Sequence, residues 1–236
     1  KLLVIVNESR KAYVYERVIR GILHGDYRPG QTLNRREVAQ SLGVSISPVN
    51  EAFAALQAEG IITTRPRKGT FVTALDRRDL RELTIVRAAL ETEAARHYCG
   101  ARIQQSRVYM LELADRVDTA DPVTFDHLYA DITFHRALAS LAGNRILKTM
   151  LDRVMTRSLL LAMEATMDSG PPARLSHRAF VDALCAAEPS DVGDIVRANV
   201  FSGKEGLLRF DAHPLEPMAI ETHMDFILDA LAEDRR

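Results

Sequence analysis

Three residues in the second half of the chain have the donor chemistry of a metal site. Asp131 and His135 stand four apart, which on a helix leaves them about 40° out of line and able to reach one point. His177 opens a later apolar segment that continues through Phe180, Val181 and Leu184. One carboxylate and two imidazoles make a mixed oxygen and nitrogen set suited to a divalent transition ion. The plainer alternative is an Asp131–His135 surface ion pair or hydrogen bond. His127 extends the same row one turn earlier and is expected to face solvent.

A second chemistry lies in residues 33–73. Arg65, Arg67 and Lys68, with Pro66 and Gly69, separate two β-branched runs at 61–64 and 70–73. That pattern predicts a hairpin whose basic tip would meet phosphate. Two short helical patterns precede it. In the first, Asn34 is placed to cap a helix with apolar Val38, Ala39 and Leu42, and Gly43 suits the left-handed residue after its end. In the second, Ser45 or Ser47 can cap, Pro48 fits the first turn, and Val49, Ala52, Phe53 and Leu56 recur at helical spacing before Gly60. Two helices, a tight turn and a basic hairpin are the layout of a winged helix-turn-helix, which sets its second helix in the major groove of DNA. An ordinary αα-hairpin followed by an exposed turn would share the helices, but it would not require the basic tip.

These elements need a framework. The chain has 236 residues and a net charge of −1, long enough for a small DNA module and a larger core-forming domain. Residues 1–75 carry 11 Lys and Arg against 6 Asp and Glu, whereas residues 76–236 carry 20 against 26. Attraction to phosphate therefore belongs to the first part alone. Beyond residues 74–78 the strand signals give way to helical periodicity, with helices expected near 79–98, 101–119, 122–142, 144–167, 173–187 and 190–209, and an amphipathic one at 216–233. The expected architecture is mainly α: a winged helix-turn-helix at 1–75, then an antiparallel all-α bundle at 76–236. Cys99 and Cys185 read as buried small apolar residues rather than a disulfide or metal pair. The 2–6 run is too short for a secretory core, and no apolar run approaches the ~20 residues that span a bilayer. A cytoplasmic setting without a membrane partner is expected.

The run GILHGDYRPGQTL, followed by REVAQSLGVSISPVNEAFAALQAEGIITTRPRKGTFV, resembles the GntR family of bacterial transcription regulators over roughly residues 11–75. The resemblance implies operator contacts from Arg36, Ser45, Ser47 and Asn50 and from the wing residues Arg67, Lys68 and Gly69. Ile46 and Asn50 stand where the family usually has Arg. Arginine pairs best with guanine and asparagine with adenine, so an unusual operator is expected. One such module reads only a half-site, so a homodimer on a palindromic operator is expected.

The segment ADITFHRALASLAGNRIL resembles the D-x3-H…GN motif of the FCD effector domain of FadR-type members. VRAALETEAA resembles that domain's first helix and SHRAFVDALCAAEPSDVGDIVRAN its last two, so the likeness covers roughly residues 79–209. It implies that Asp131, His135 and His177 occupy three of four metal-ligand positions, and that Asn199 stands where the family has a histidine. Zn, Ni or Mn would suit the set. It also implies a small carboxylate effector, held by Arg87 of the R-x3-E pattern. The alternative for Arg87 is an intrahelical pair with Glu91, worth only ~0.2–0.5 kcal/mol when exposed. Asn144 is read as a helix cap. The function expected is a DNA-binding regulator, taken as a repressor, that senses an organic acid. A helical metalloenzyme with an accessory DNA-binding domain is the competing class, but no HExxH, nucleophile-elbow or phosphate-loop pattern accompanies the ligands.

Overall fold

The chain opens with α1 (Leu2–Leu23), a helix that the sequence patterns did not single out. Its residues Val14, Val18, Ile19 and Ile22 fall on one helical face and are all buried. The computed structural model describes residues 2–74, 77–122, 124–167 and 175–202. After α1 come α2 (Arg35–Leu42) and α3 (Ile46–Ala58). Asn34 caps α2, its side-chain oxygen accepting from the Arg36 N–H, and Gly43 ends α2 in the left-handed region at φ 64°. The start of α3 differs from expectation. Ser45 holds the N-cap position without a side-chain capping bond, and Ser47 donates to Glu51 instead.

Two antiparallel strands, β1 (Ile62–Arg65) and β2 (Gly69–Val72), pair from Ile62–Val72 to Arg65–Gly69. Thr32 bridges to Phe71 on the outer side, giving the wing a third short edge. Arg67 turns the tip with φ 61°.

The rest is helical: α4 (Arg77–Tyr98), α5 (Ala101–Gln105), α6 (Arg107–Thr119), α7 (Phe125–Leu141), α8 (Arg145–Met167), α9 (His177–Ala186) and α10 (Val192–Phe201). The helix expected over 101–119 breaks at Ser106, the hinge between α5 and α6. Asn144 does cap α8, accepting from the Leu147 N–H. Cys99 and Cys185 are free thiols, partly exposed rather than fully buried. The expected helix at 216–233, and the tail of the one at 190–209, lie outside the described residues. Among the described residues no helix is long and apolar enough to cross a membrane.

Helix α7 organises the molecule because it is apolar on two sides. Leu128, Ile132 and Ala139 join a core that includes α1, α2, α3 and the wing, together with Leu151, Met155 and Leu159 of α8. Phe134 and Leu138 join a second core built from α4, α5, α6, α9 and α10. At about 100° per residue, Asp131 and His135 fall between these two stripes. The first core therefore runs past the composition change at residues 74–78 into the helical region.

Candidate metal centre and nucleic-acid interface

The stripe between the two cores is polar and buried. Asp131 and His135 on α7 are 6% and 2% exposed, and His177, the first residue of α9, is 7% exposed. One ligand atom from each of the three lies within 4.8 Å of the others. His135 Nε2 is 3.1 Å and His177 Nε2 3.8 Å from the same oxygen, Asp131 Oδ1. That oxygen is buried, and neither imidazole N–H is aligned to donate to it. Ligand atoms of a tetrahedral ion with bonds of ~2.0–2.2 Å stand roughly 3.3–3.6 Å apart. The donor set, its spacing and the orphaned carboxylate oxygen thus fit a divalent ion. Asn199 is also buried, on α10, which packs against α4 and α9.

His127 is buried at 4% exposure rather than facing solvent. It lies beside the Phe134–Leu138 stripe of a helix that is covered on both sides, so one further turn along the row is covered too.

Each imidazole has a carboxylate behind it. His135 Nδ1 is 2.9 Å from Glu91 Oε2 on α4, and Glu91 Oε1 accepts from Arg87 Nε at 2.6 Å. His177 Nδ1 is 2.7 Å from Asp118 Oδ1 near the end of α6. Asp118 also accepts from the Ser176 hydroxyl and from the N–H groups of His177 and Arg178, so it caps α9 from outside the helix. Phe134 meets both rings edge-on, each 5.1 Å away centre to centre. Sequence spacing gave no signal for Asp118 or Phe134, and it marked Glu91 only as a neighbour of Arg87.

The electrostatics follow from this packing. Burial alone would push Glu91 up, but the charges of Arg87 and His135 and their hydrogen bonds bring its carboxyl down to about 2. Burial likewise opposes ionisation of Asp131, and the close approach of His135 with the charges of His135, His177 and Arg87 holds it well below the usual carboxylate range. For His135, burial disfavours the cation, but Glu91 and Asp131 outweigh it and raise its pKa. The Arg87–Glu91 pair is therefore formed, as one of the two alternatives for Arg87 required, but it is buried at 1% and 5% exposure rather than on the surface. Arg87 Nη1 is left buried without a hydrogen-bond partner, so the pair does not use up the guanidinium.

In the winged module, Arg36, Ser45, Ser47, Asn50, Arg67, Lys68 and Gly69 are all exposed. An open groove joins the start of α2, the start of α3 and the wing, lined by Asn34, Arg35, Arg36, Ile46 and Gly69 among others. Ile46 is 43% exposed at the first position of α3, an apolar side chain where base edges would lie.

Residues 10–72 match the family described as "Bacterial regulatory proteins, gntR family", and residues 82–200 match the FCD domain. The chain is 32% identical over 182 residues to a probable D-xylose utilization operon transcriptional repressor of Paenarthrobacter nicotinovorans, covering 73% of this chain and 77% of that one. It is 28% identical over 195 residues to the HTH-type transcriptional repressor RspR of Escherichia coli (strain K12), covering 78% and 82%. Among solved structures, a putative transcriptional regulator GntR from Rhodococcus sp. RHA1 superposes with a TM-score of 0.58 at 25% identity, covering 86% of this chain and 100% of that one.

Proposed function

The chain belongs to the GntR family of bacterial transcriptional regulators and carries an FCD domain, and from that premise we propose that it is a dimeric repressor whose helical part senses a small organic acid beside a divalent metal. The observation that carries the sensing half is the buried polar stripe between the two cores, where two imidazole Nε2 atoms approach a carboxylate oxygen to which no N–H is aligned. Asp131, His135 and His177 would hold the ion, with Asn199 as a neutral fourth donor. A bound ion would supply Lewis acidity toward an effector carboxylate. Arg87, with a buried free Nη1, offers the acid a charge-assisted contact. Zn, Ni and Mn all suit one oxygen and two nitrogen donors.

The DNA half rests on exposed polar and basic residues spread over two helices and a wing. Arg36, Ser45, Ser47 and Asn50 take the major groove, and Arg67, Lys68 and Gly69 take the backbone or minor groove. Residues 1–75 form the DNA-binding part and 76–236 the effector and dimerisation part. No observation favours the metalloenzyme alternative, and both relatives are named as transcriptional repressors.

The test is an operator selected from random duplexes by the purified protein, then titrated with and without Zn2+ and a panel of small carboxylic acids. The expected result is a palindromic duplex bound by a dimer, with metal found by elemental analysis and at least one acid changing the affinity. Equal binding of all duplexes would overturn the DNA half. Metal-free protein that ignores every acid would overturn the sensing half.

A further inference from the structure

We propose that Glu91 and Asp118 are positioning residues that lock His135 and His177 as Nδ1–H tautomers, so that both Nε2 lone pairs are presented toward Asp131 before any ion arrives. The inference rests on the metal reading of the site, and it concerns residues that stand behind the candidate ligands.

The geometry separates the two nitrogens of each ring. His177 Nδ1 is 2.7 Å from Asp118 Oδ1, whereas its Nε2 is 3.8 Å from Asp131, beyond hydrogen-bond reach. His135 Nδ1 is hydrogen-bonded to Glu91 at 2.9 Å, whereas its Nε2 comes within 3.1 Å of Asp131 without the alignment of a hydrogen bond. An ionised carboxylate only accepts. Each outer carboxylate therefore calls for a proton on Nδ1, and that leaves Nε2 as the free donor to a metal.

The two clamps come from different elements. Glu91 is anchored on α4 by the buried Arg87 Nε. Asp118 is anchored by three donors at the start of α9 besides the ring itself. Phe134 stands edge-on to both rings and blocks their rotation. Outer carboxylates of this kind raise the basicity of the ligand and fix the ring, and losing one typically weakens metal binding ~10–100-fold.

The experiment has two readouts. The first uses 15N-histidine-labelled protein without metal, with the pH raised until the ring shifts stop changing. The ring shifts of His135 and His177 are expected to report Nδ1–H, moving toward the other tautomer in Glu91→Gln and Asp118→Asn respectively. The second is competition titration with Zn2+ alone. Glu91→Gln and Asp118→Asn should each bind roughly 10–100-fold more weakly. Ser176→Ala, which removes a capping contact of Asp118 but spares its ring contact, should bind like wild type. Nε2–H tautomers in the wild-type protein, unchanged Zn2+ affinity in both carboxylate variants, or an equal loss in Ser176→Ala would each overturn the inference. Wild-type protein that takes up no Zn2+ would overturn the metal reading instead. The two failures are distinguishable because the tautomers are read without metal.

Discussion

At the scale of single residues, the centre is defined by one substitution that sequence comparison makes visible and by one pair that only packing makes visible. Asn199 stands where the family resemblance expects histidine, and an amide oxygen binds late transition ions less well than imidazole does. Asn199→His should therefore tighten Zn2+ or Ni2+, read by competition with a chelator of known affinity, and a weaker or unchanged affinity would remove Asn199 from the site. The Arg87–Glu91 pair looks ordinary in sequence, four apart on a helix. Buried beneath His135, it behaves differently. Arg87→Ala would leave the buried Glu91 carboxylate with His135 as its remaining partner and should cost about 1–3 kcal/mol in urea unfolding, against the ~0.2–0.5 kcal/mol of an exposed helical pair. A loss within the smaller range would mean that water reaches Glu91 in solution. Asp131 and His135 were legible because a four-residue spacing puts two side chains on one helical face. Asp118 was not, because 59 residues separate it from His177 and only the docking of α6 on α9 brings them together.

At the scale of elements, the winged module was legible nearly throughout because its signals are local. Asn34 caps α2, Gly43 takes the left-handed turn, and Val49, Ala52, Phe53 and Leu56 are all buried as their spacing required. The exceptions have physical reasons. The α5–α6 break at Ser106 falls in a stretch with neither glycine nor proline. The burial of His127 followed from α7 being covered on two sides, which a single-stripe view of an amphipathic helix misses. For DNA the elements divide the work. Lys68→Ala on the wing should weaken all duplexes alike and reduce the salt slope by about 0.9 if one phosphate contact is lost. Asn50→Arg on the exposed face of α3 should instead change the preferred base, by ~1–3 kcal/mol per altered contact. Fluorescence anisotropy on a set of duplex variants at several salt concentrations separates the two patterns, and identical effects from both substitutions would contradict the division.

At the scale of the whole molecule, the proposed sensing and DNA-binding functions would meet on α7 and at the end of α3. Glu59, the C-cap of α3, accepts from Tyr15 of α1 at 2.6 Å and from Arg136 of α7 at 3.2 Å, and Arg136 also holds Asp152 of α8 at 2.9 Å. Burial first, and then the charge of Glu59, raise the pKa of Tyr15. The sign is fixed by linkage: a group whose folded pKa is raised stabilises fully below its unfolded value of ~10, and that stability is lost as pH rises above it. Wild type should lose stability faster than Tyr15→Phe as pH is raised beyond ~10, and parallel urea midpoints would show that Tyr15 is not coupled to Glu59. The same junction gives a route between sites. Arg136 directly follows His135, so one helix presents an imidazole to the buried polar stripe and a guanidinium to the C-cap of α3. Any shift or rotation of α7 that accompanies binding must move both. An effector changes operator affinity only by binding the two arrangements differently, and a tenfold change requires about 1.4 kcal/mol. Arg136→Ala should therefore keep the metal and the acid but reduce the difference between operator titrations with and without them. Exchanging the charges, with Glu59→Arg and Arg136→Glu together, should restore part of that difference, because the junction is re-formed in reverse. If Arg136→Ala responds to the effector as fully as wild type, coupling does not pass through the end of α3. It would then have to run through the packing of α1 on α7, where Arg20 bonds Asp126 and lies over the Phe125 ring.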